Sequence, residues 1–320
     1  MGRRPTPCIL NPTRQWTARL PPKKHMLAIL YALITVLAWG TWLAPSQNIP
    51  LKDQQIRVFY VASVNLLLAF VIGLFQGLGG LTGSVFWMPF IGGLVWAVSG
   101  LCAFTASANL GLAKAFGIWA PLNIIVSLVC GRLLFGEFLN PDRPTLLLLL
   151  LAVAIIIAGV LLMVFAKGGV AEQGPPKSHL IGLLAALGAG VLWGIYFIPI
   201  KMAGVSMWIA AFPMAVGIFV GSTILMLLAG QPPRLDNPGQ YVRIGITGLL
   251  WSVGNYGMLL LVGQIGAGKG FTIAQLSVVI NALVGVYWLK QPPPRTRAAH
   301  MTLVGCVLAT VGGILLGNLK

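Results

Sequence analysis

The stretch WGTWLAP at residues 39–45 occurs a second time, in altered form, as WGIYFIP at residues 193–199. Trp, Gly and Pro recur at the same spacing, 154 positions further along the chain. Trp96 likewise recurs as Trp251, 155 positions further on. Since such matches follow one another in the same order at nearly one interval, they predict an internal duplication.

A third match concerns GQIGAGKG at 263–270, which has the G-x-x-x-x-G-K spacing of a phosphate-binding loop but lacks the Ser or Thr that would follow the Lys. Its counterpart NLGLAKAF at 109–116 has Ala113 at the position of the second loop glycine. We interpret both copies as a turn between helices, with Lys114 and Lys269 at the level of the lipid headgroups. No ATP site is predicted.

The composition indicates a membrane protein. Hydrophobic residues make up 58% of the 320 residues and charged residues 8%, against about 25% charged residues in soluble domains. Ten apolar runs approach the roughly 20 residues that a helix needs to cross a bilayer. They are 26–44, 58–75, 86–110, 115–135, 144–166, 180–200, 207–230, 244–263, 271–289 and 301–319, and Arg132 is their only charged residue.

The duplication divides these runs into two sets of five. The predicted fold is an all-α polytopic membrane protein with ten transmembrane helices, in which residues 26–166 form the first five-helix repeat and residues 180–320 the second. The polar stretch 167–179 links them. Because five is an odd number, the second repeat enters the membrane from the opposite side. Inverted repeats are typical of secondary transporters, whose solute site lies between the halves and opens to either side in turn.

Residues 1–25 form a basic, Pro-rich tail without an acidic residue. The tail is either a flexible extension or an untranslated stretch before Met26. The net charge of +16 comes from basic residues at helix ends, so it indicates contact with the lipid bilayer rather than with nucleic acid. The distribution of Lys and Arg between loops gives only a slight preference for termini on the inside.

Polar and aromatic side chains within the spans are candidates for solute binding. Amides donate and accept hydrogen bonds and therefore suit hydroxyl groups, and aromatic faces suit the apolar face of a sugar ring. Bonding between helices and anchoring at the membrane interface are the structural alternatives for the same residues. The candidates for the solute site are Asn255, Trp251, Trp96, Gln275, Asn123, Asn281, Trp39 and Trp193.

The chain offers few groups for catalysis or for ion coupling. Its five acids lie in loops or at helix ends, so a carboxylate proton relay has no carrier within the membrane. The three histidines lie at helix margins and form no catalytic cluster with acids. We therefore predict a protein that is not an enzyme and has no cofactor or metal. Coupling to a sodium ion through backbone carbonyls and hydroxyls, or the absence of coupling, stays open.

Taken together, these patterns resemble the drug/metabolite transporter superfamily, and several motifs are similar to those of its glucose/ribose porter family. The motifs are WG near the end of helix 1, LVWAVSG in helix 3, GLAKAFGIWAPLN entering helix 4, FGE after helix 4, LLWSVGN in helix 8 and GFTIAQLSVVINAL in helix 9.

The resemblance covers about residues 26–319. It implies uptake of a small sugar in the cell membrane, with import coupled to a cation such as sodium or the proton. Lys290 occupies a region where the family pattern favours an acid, and the wider superfamily also contains exporters of metabolites and drugs. Glycines spaced four apart in GILLG at 313–317 would allow a homodimer.

Overall fold

The computed structural model describes residues 22–51, 53–76, 81, 83–136, 141–166, 176–230, 232–265, 270 and 273–319. Throughout these ranges the regular structure is helical. The helices are α1 (Pro22–Thr41), α2 (Ala44–Gln47), α3 (Gln54–Gln76), α4 (Ser84–Leu110), α5 (Leu112–Phe135), α6 (Arg143–Val164), α7 (Pro176–Ile195), α8 (Ile198–Met202), α9 (Met207–Leu228), α10 (Pro238–Ile265), α11 (Leu276–Leu283, continued by a π-helical turn over Val284–Trp288) and α12 (Arg297–Gly317).

The membrane assignment is confirmed. Among the described residues, nine helices are long and apolar enough to cross a membrane, and the apolar helix Leu276–Trp288 is shorter. Residues 1–21 of the predicted tail, most of the linker, Glu137 and Lys269 lie outside the described residues, whereas residues 22–25 of the predicted tail begin α1.

The repeated stretch ends the first long helix of each half. Helix α1 ends at Thr41 and the short helix α2 follows, while α7 ends at Ile195 and is followed by α8. Pro45 and Pro199 stand in the first turn of these short helices. Proline is tolerated there because its missing N–H would have had no partner in the helix. The repeated Pro thus begins the same short helix in both halves.

The two halves interlock. Helix α1 packs on α10 and α11, and its counterpart α7 packs on α4 and α5. In the same way α3 packs on α10 and α9 packs on α4, while α6 pairs with α12 and α3 with α9. The equivalent helices of the two halves are α1 and α7, α3 and α9, α4 and α10, α5 and α11, and α6 and α12. If each helix is exchanged for its equivalent, the set of contacts stays the same. The first long helix of each half is therefore held by the other half, and the centre of the protein lies between them.

One contact reproduces the repeat in three dimensions. Gly40 lies so close to α11 that a Cβ added to it would stand 2.5 Å from the Cβ of Ile280. A Cβ at Gly194 would stand 2.5 Å from the Cβ of Val126 on α5. Both glycines and both of their neighbours are 154 positions apart. The repeated Gly therefore allows the first long helix of each half to approach a helix of the other half equally closely.

The structure also confirms the turn predicted before Lys114. Gly111 joins α4 to α5 with a φ of 82°, which glycine adopts without the steric cost of a Cβ.

Two charged residues at the beginnings of helices are buried by their neighbours. Arg57 and Lys114 belong to the first turns of α3 and α5 and are 1% and 6% exposed. The Lys114 ammonium donates a hydrogen bond of 2.9 Å to the carbonyl of Ala166, which lies just after the end of α6. The level of Lys114 relative to the lipid headgroups stays a prediction.

Candidate functional site

Five tryptophans from five parts of the chain meet in the centre of the protein. Trp193 of α7 lies 5.5 Å from Trp119 of α5, 6.1 Å from Trp96 of α4 and 6.4 Å from Trp42, which follows α1, measured between ring centroids. Trp96 in turn lies 4.4 Å from Trp251 of α10. We call these five residues the tryptophan cluster. It brings together three residues that the sequence predicted for the site, namely Trp96, Trp193 and Trp251.

The position of the cluster follows from the repeat. Trp96 and Trp251 are equivalent residues of the two halves, and two equivalent residues can touch only near the axis that relates the halves. In transporters built from repeats, the solute site lies at that junction. The tryptophan cluster therefore occupies the place where a site shared by both halves is expected.

Trp42 and Trp119 are members of the cluster that sequence reasoning did not select. Neither has a Trp at the equivalent position of the second half, so the comparison of repeats gave no signal for them. Trp42 could have been noticed as the second Trp of the stretch WGTWLAP, three residues after Trp39.

Several buried polar groups on α1, α7 and α11 have no hydrogen-bond partner among the described residues. The indole N–H groups of Trp39 and Trp193, which are equivalent residues, are buried without an acceptor. The Asn281 side chain is 0% exposed, and neither its amide nitrogen nor its oxygen has a partner. Buried polar groups in proteins are nearly always hydrogen-bonded, and leaving one unpaired costs about 1–3 kcal/mol. Such groups indicate where a polar solute could complete the bonding.

Asn255 faces the interior of the protein. The exposed residues of α10, among them Leu249, Val253 and Leu260, share one face of the helix. Asn255 lies on the opposite face of the helix. It stands one turn after Trp251 on the same face as Trp251, because residues four apart on a helix lie above one another. Asn255 is half-buried, and its remaining exposure is therefore directed inward.

Trp39 approaches the same part of α10. A Cβ at Gly254 would lie 2.3 Å from Cδ1 of the Trp39 ring. Only a residue without a side chain leaves room for the indole there, so Gly254 permits Trp39 to lie beside the helix turn that carries Asn255.

The other two predicted residues make contacts between helices. Gln275 lies against α12. The Cγ atom of Gln275 is 3.4 Å from the position that a Cβ would take if one were added to Gly313. The side-chain oxygen of Asn123 accepts a hydrogen bond of 3.5 Å from the Ser127 hydroxyl, which also donates to the carbonyl of Gly194 at 3.2 Å. A role for Gln275 and Asn123 in the solute site stays a prediction.

One buried polar pair joins two helices without taking part in the cluster. The hydroxyl of Ser252 on α10 lies 3.0 Å from the side-chain oxygen of Asn65 on α3 and also donates to the carbonyl of Gly248. In contrast to Asn281, Asn65 thus has a side-chain partner in the fold.

The fold and the site define a class: a multi-pass helical membrane protein with an aromatic centre between two repeats. The family described as "Sugar transport protein" matches residues 30–319. The chain belongs to this family, which confirms the resemblance to sugar porters.

Relatives of the chain are named for uptake of sugars. One from Enterococcus faecalis is 26% identical over 299 residues, which span 92% of this chain and 100% of the relative. The glucose uptake protein GlcU of Bacillus subtilis is 23% identical over 293 residues, spanning 91% of this chain and 98% of the relative. A crystal structure with 20% sequence identity superposes with a TM-score of 0.60 over 90% of this chain and 95% of the other, and it shows the same fold.

Proposed function

We propose that this protein carries a monosaccharide across the cell membrane by alternating access, and that the sugar binds at the tryptophan cluster. The observation that carries the proposal is the unpaired indole N–H of Trp193 within this cluster, together with the unpaired indole N–H of Trp39, which lies against α10, and the unpaired amide of Asn281 on α11. A sugar presents hydroxyl groups around an apolar ring. Indole faces suit the ring, and amides and indole N–H groups suit the hydroxyls.

The family supports a sugar as the solute. The description of the matching family is "Sugar transport protein", and GlcU of Bacillus subtilis is named for glucose uptake. We therefore propose glucose, ribose or a monosaccharide of similar size.

The two ends of the protein support alternating access because equivalent residues differ in burial. Leu43 is buried at the end that contains α2, whereas its counterpart Phe197 is half-buried at the end that contains α8. Gln47 is buried, whereas its counterpart Lys201 is exposed. In the proposed cycle, this conformation has the α2 end closed and the α8 end more open, and the second conformation reverses the two.

Hydrogen bonds hold the α2 end closed in this proposal, one within the first half (Gln47 to Ser107) and the others between the halves. Gln47 donates to the carbonyl of Ser107 at 2.6 Å and to the side-chain oxygen of Gln291 at 3.3 Å. Gln291 donates to Asn48 at 3.2 Å. Arg243 donates to the carbonyl of Pro45 at 2.7 Å. These bonds must break when the α2 end opens.

The described helices contain no Asp or Glu, so we propose that transport does not depend on a protonated carboxylate within them. Two modes of transport are then compared. One is coupling to a sodium ion held by backbone carbonyls and hydroxyls, and the other is facilitated diffusion.

Uptake of labelled glucose and ribose into liposomes containing the purified protein tests the proposal. We expect saturable uptake that unlabelled sugar inhibits, and a thermal shift of the protein when the sugar is added. Imposed sodium and proton gradients then identify the coupling mode. If no sugar moves and none shifts the unfolding temperature, the proposed function is wrong.

A further inference from the structure

Arg57 is a buried cation that has no anionic partner among the described residues. Its side chain is 1% exposed, and within the described part of the chain its Nε and Nη1 atoms have no hydrogen-bond partner. The Nη2 atom donates to the carbonyl of Ile49 at 3.2 Å. No described carboxylate accepts a hydrogen bond from the guanidinium, although buried charges in proteins are normally paired with one.

A second cation acts on Arg57. Arg243 of α10 repels the guanidinium electrostatically, and it donates to the carbonyl of Pro45 at the same end of the protein. No hydrogen bond from Arg57 to a described carboxylate offsets its charge, and burial shields that charge from the screening that salt provides at an exposed surface.

Aromatic residues connect Arg57 to the tryptophan cluster. The Cζ atom of Arg57 lies 5.4 Å from the centroid of the Phe104 ring. Phe104 lies 5.5 Å from Trp42, and Trp42 lies 6.4 Å from Trp193. Arg57 thus stands at the outer end of a continuous aromatic row that leads from the closed α2 end to the centre.

We propose that Arg57 is an electrostatic filter that excludes cationic solutes, such as protonated amino sugars, while neutral sugars pass. The inference rests on the proposed function, since it assumes that the solute passes the aromatic row when the α2 end opens. A cation that approaches an unpaired guanidinium in a poorly hydrated passage is repelled, whereas a neutral sugar of the same size is not. Specificity here comes from a repulsive element rather than from an extra contact.

The test compares glucose with 2-amino-2-deoxyglucose, in which a protonated amine replaces one hydroxyl. Both uptake rates are measured in liposomes at a pH where the amine is charged. In the wild type we expect a strong preference for glucose. Arg57→Gln should raise the ratio of amino sugar to glucose about tenfold or more, because the charge is removed. Arg57→Lys should retain the discrimination, because a charge remains.

Arg234→Gln is the matched control. Arg234 is exposed and belongs to the same end of the protein, because the carbonyl of the preceding Pro233 accepts a hydrogen bond from the Tyr60 hydroxyl of α3. Solvent screens an exposed charge, so its removal should change the ratio much less than Arg57→Gln does. An equal change in both variants would overturn the assignment of the filter to Arg57.

A measurement on the wild type covers the case in which Arg57→Gln does not fold. As the pH rises and the amino sugar loses its proton, its uptake relative to glucose should increase. A ratio that does not change with pH, or that does not change in a folded Arg57→Gln variant, overturns the inference while leaving sugar transport intact. Failure of wild-type glucose and ribose uptake would instead contradict the proposed function.

Discussion

Trp96 of α4 and Trp251 of α10 are equivalent residues of the two repeats, and their rings lie 4.4 Å apart. The contact brings one ring from each half of the chain into the tryptophan cluster. In the proposed function, both halves therefore contribute an aromatic surface to the sugar site.

The first prediction concerns the unpaired indole N–H of Trp193. Trp193→Phe keeps an aromatic ring and removes only the donor and part of the ring area. If the N–H bonds a sugar hydroxyl, sugar affinity should fall about three- to tenfold, the value of one hydrogen bond. Equilibrium binding of labelled sugar to purified protein measures this. Trp87→Phe is the control, because Trp87 is exposed on α4 and the exchange should leave affinity unchanged.

The second prediction compares two buried asparagines. Asn281→Leu replaces an unpaired amide by an apolar group of similar volume and should stabilise the protein by about 1 kcal/mol, while sugar binding weakens about tenfold. Asn65→Leu removes the partner of Ser252 and should instead destabilise the protein by about 1 kcal/mol.

Thermal unfolding and sugar binding of both asparagine variants are measured side by side. If Asn281→Leu unfolds at a lower temperature and binds sugar normally, Asn281 has a structural role and does not belong to the site.

The third prediction concerns the close contact that both repeats share. Gly40→Ala and Gly194→Ala each place a Cβ 2.5 Å from a side-chain atom of the other half, and each should destabilise the protein by about 1–3 kcal/mol. Gly245→Ala is the control, because no atom lies within 4 Å of its added Cβ and alanine favours a helix over glycine by about 1 kcal/mol. Unfolding temperatures in detergent should therefore fall for the first two variants and rise for the third.

The fourth prediction concerns the bonds that close the α2 end. Gln291→Ala removes its bonds to Gln47 and Asn48, and at about 1 kcal/mol for each bond it should shift the equilibrium towards opening at least fivefold. A cysteine introduced at Ser46, which is buried in this conformation, reports the change in a background without native cysteines. A membrane-impermeant maleimide should label it faster in the Gln291→Ala protein.

The Ser46 cysteine also provides the control for the fourth prediction. Its labelling in the protein with Gln291 intact should be slow, and sugar binding should alter the rate in both proteins. Equal labelling rates with and without Gln291 would show that these bonds do not hold the end closed.

Much of the fold could be predicted from the sequence because membrane insertion imposes a local rule. A helix needs about 20 apolar residues to cross the bilayer, so each span can be recognised within its own stretch of chain. The repeat of Trp39, Gly40 and Pro45 at residues 193–199 can also be recognised from the order of residues alone. The structure then shows that it coincides with the short helices and with the close contacts of Gly40 and Gly194. Trp96 and Trp251 were matched in the same way.

The remaining features depend on which residues become neighbours. Arg57 lies in a helix start next to Phe104, and Asn281 is enclosed without a partner, although neither fact is encoded in the local pattern. Burial and hydrogen bonding are properties of the surroundings of a side chain, and those surroundings include helices that are distant in the chain, such as α4, which carries Phe104 beside Arg57. The sequence alone therefore determined that the chain spans the membrane as a duplicated helical protein. Only the tertiary structure decided which polar groups are left unpaired at its centre, because pairing requires positions in space that apolar periodicity and repeat spacing do not specify.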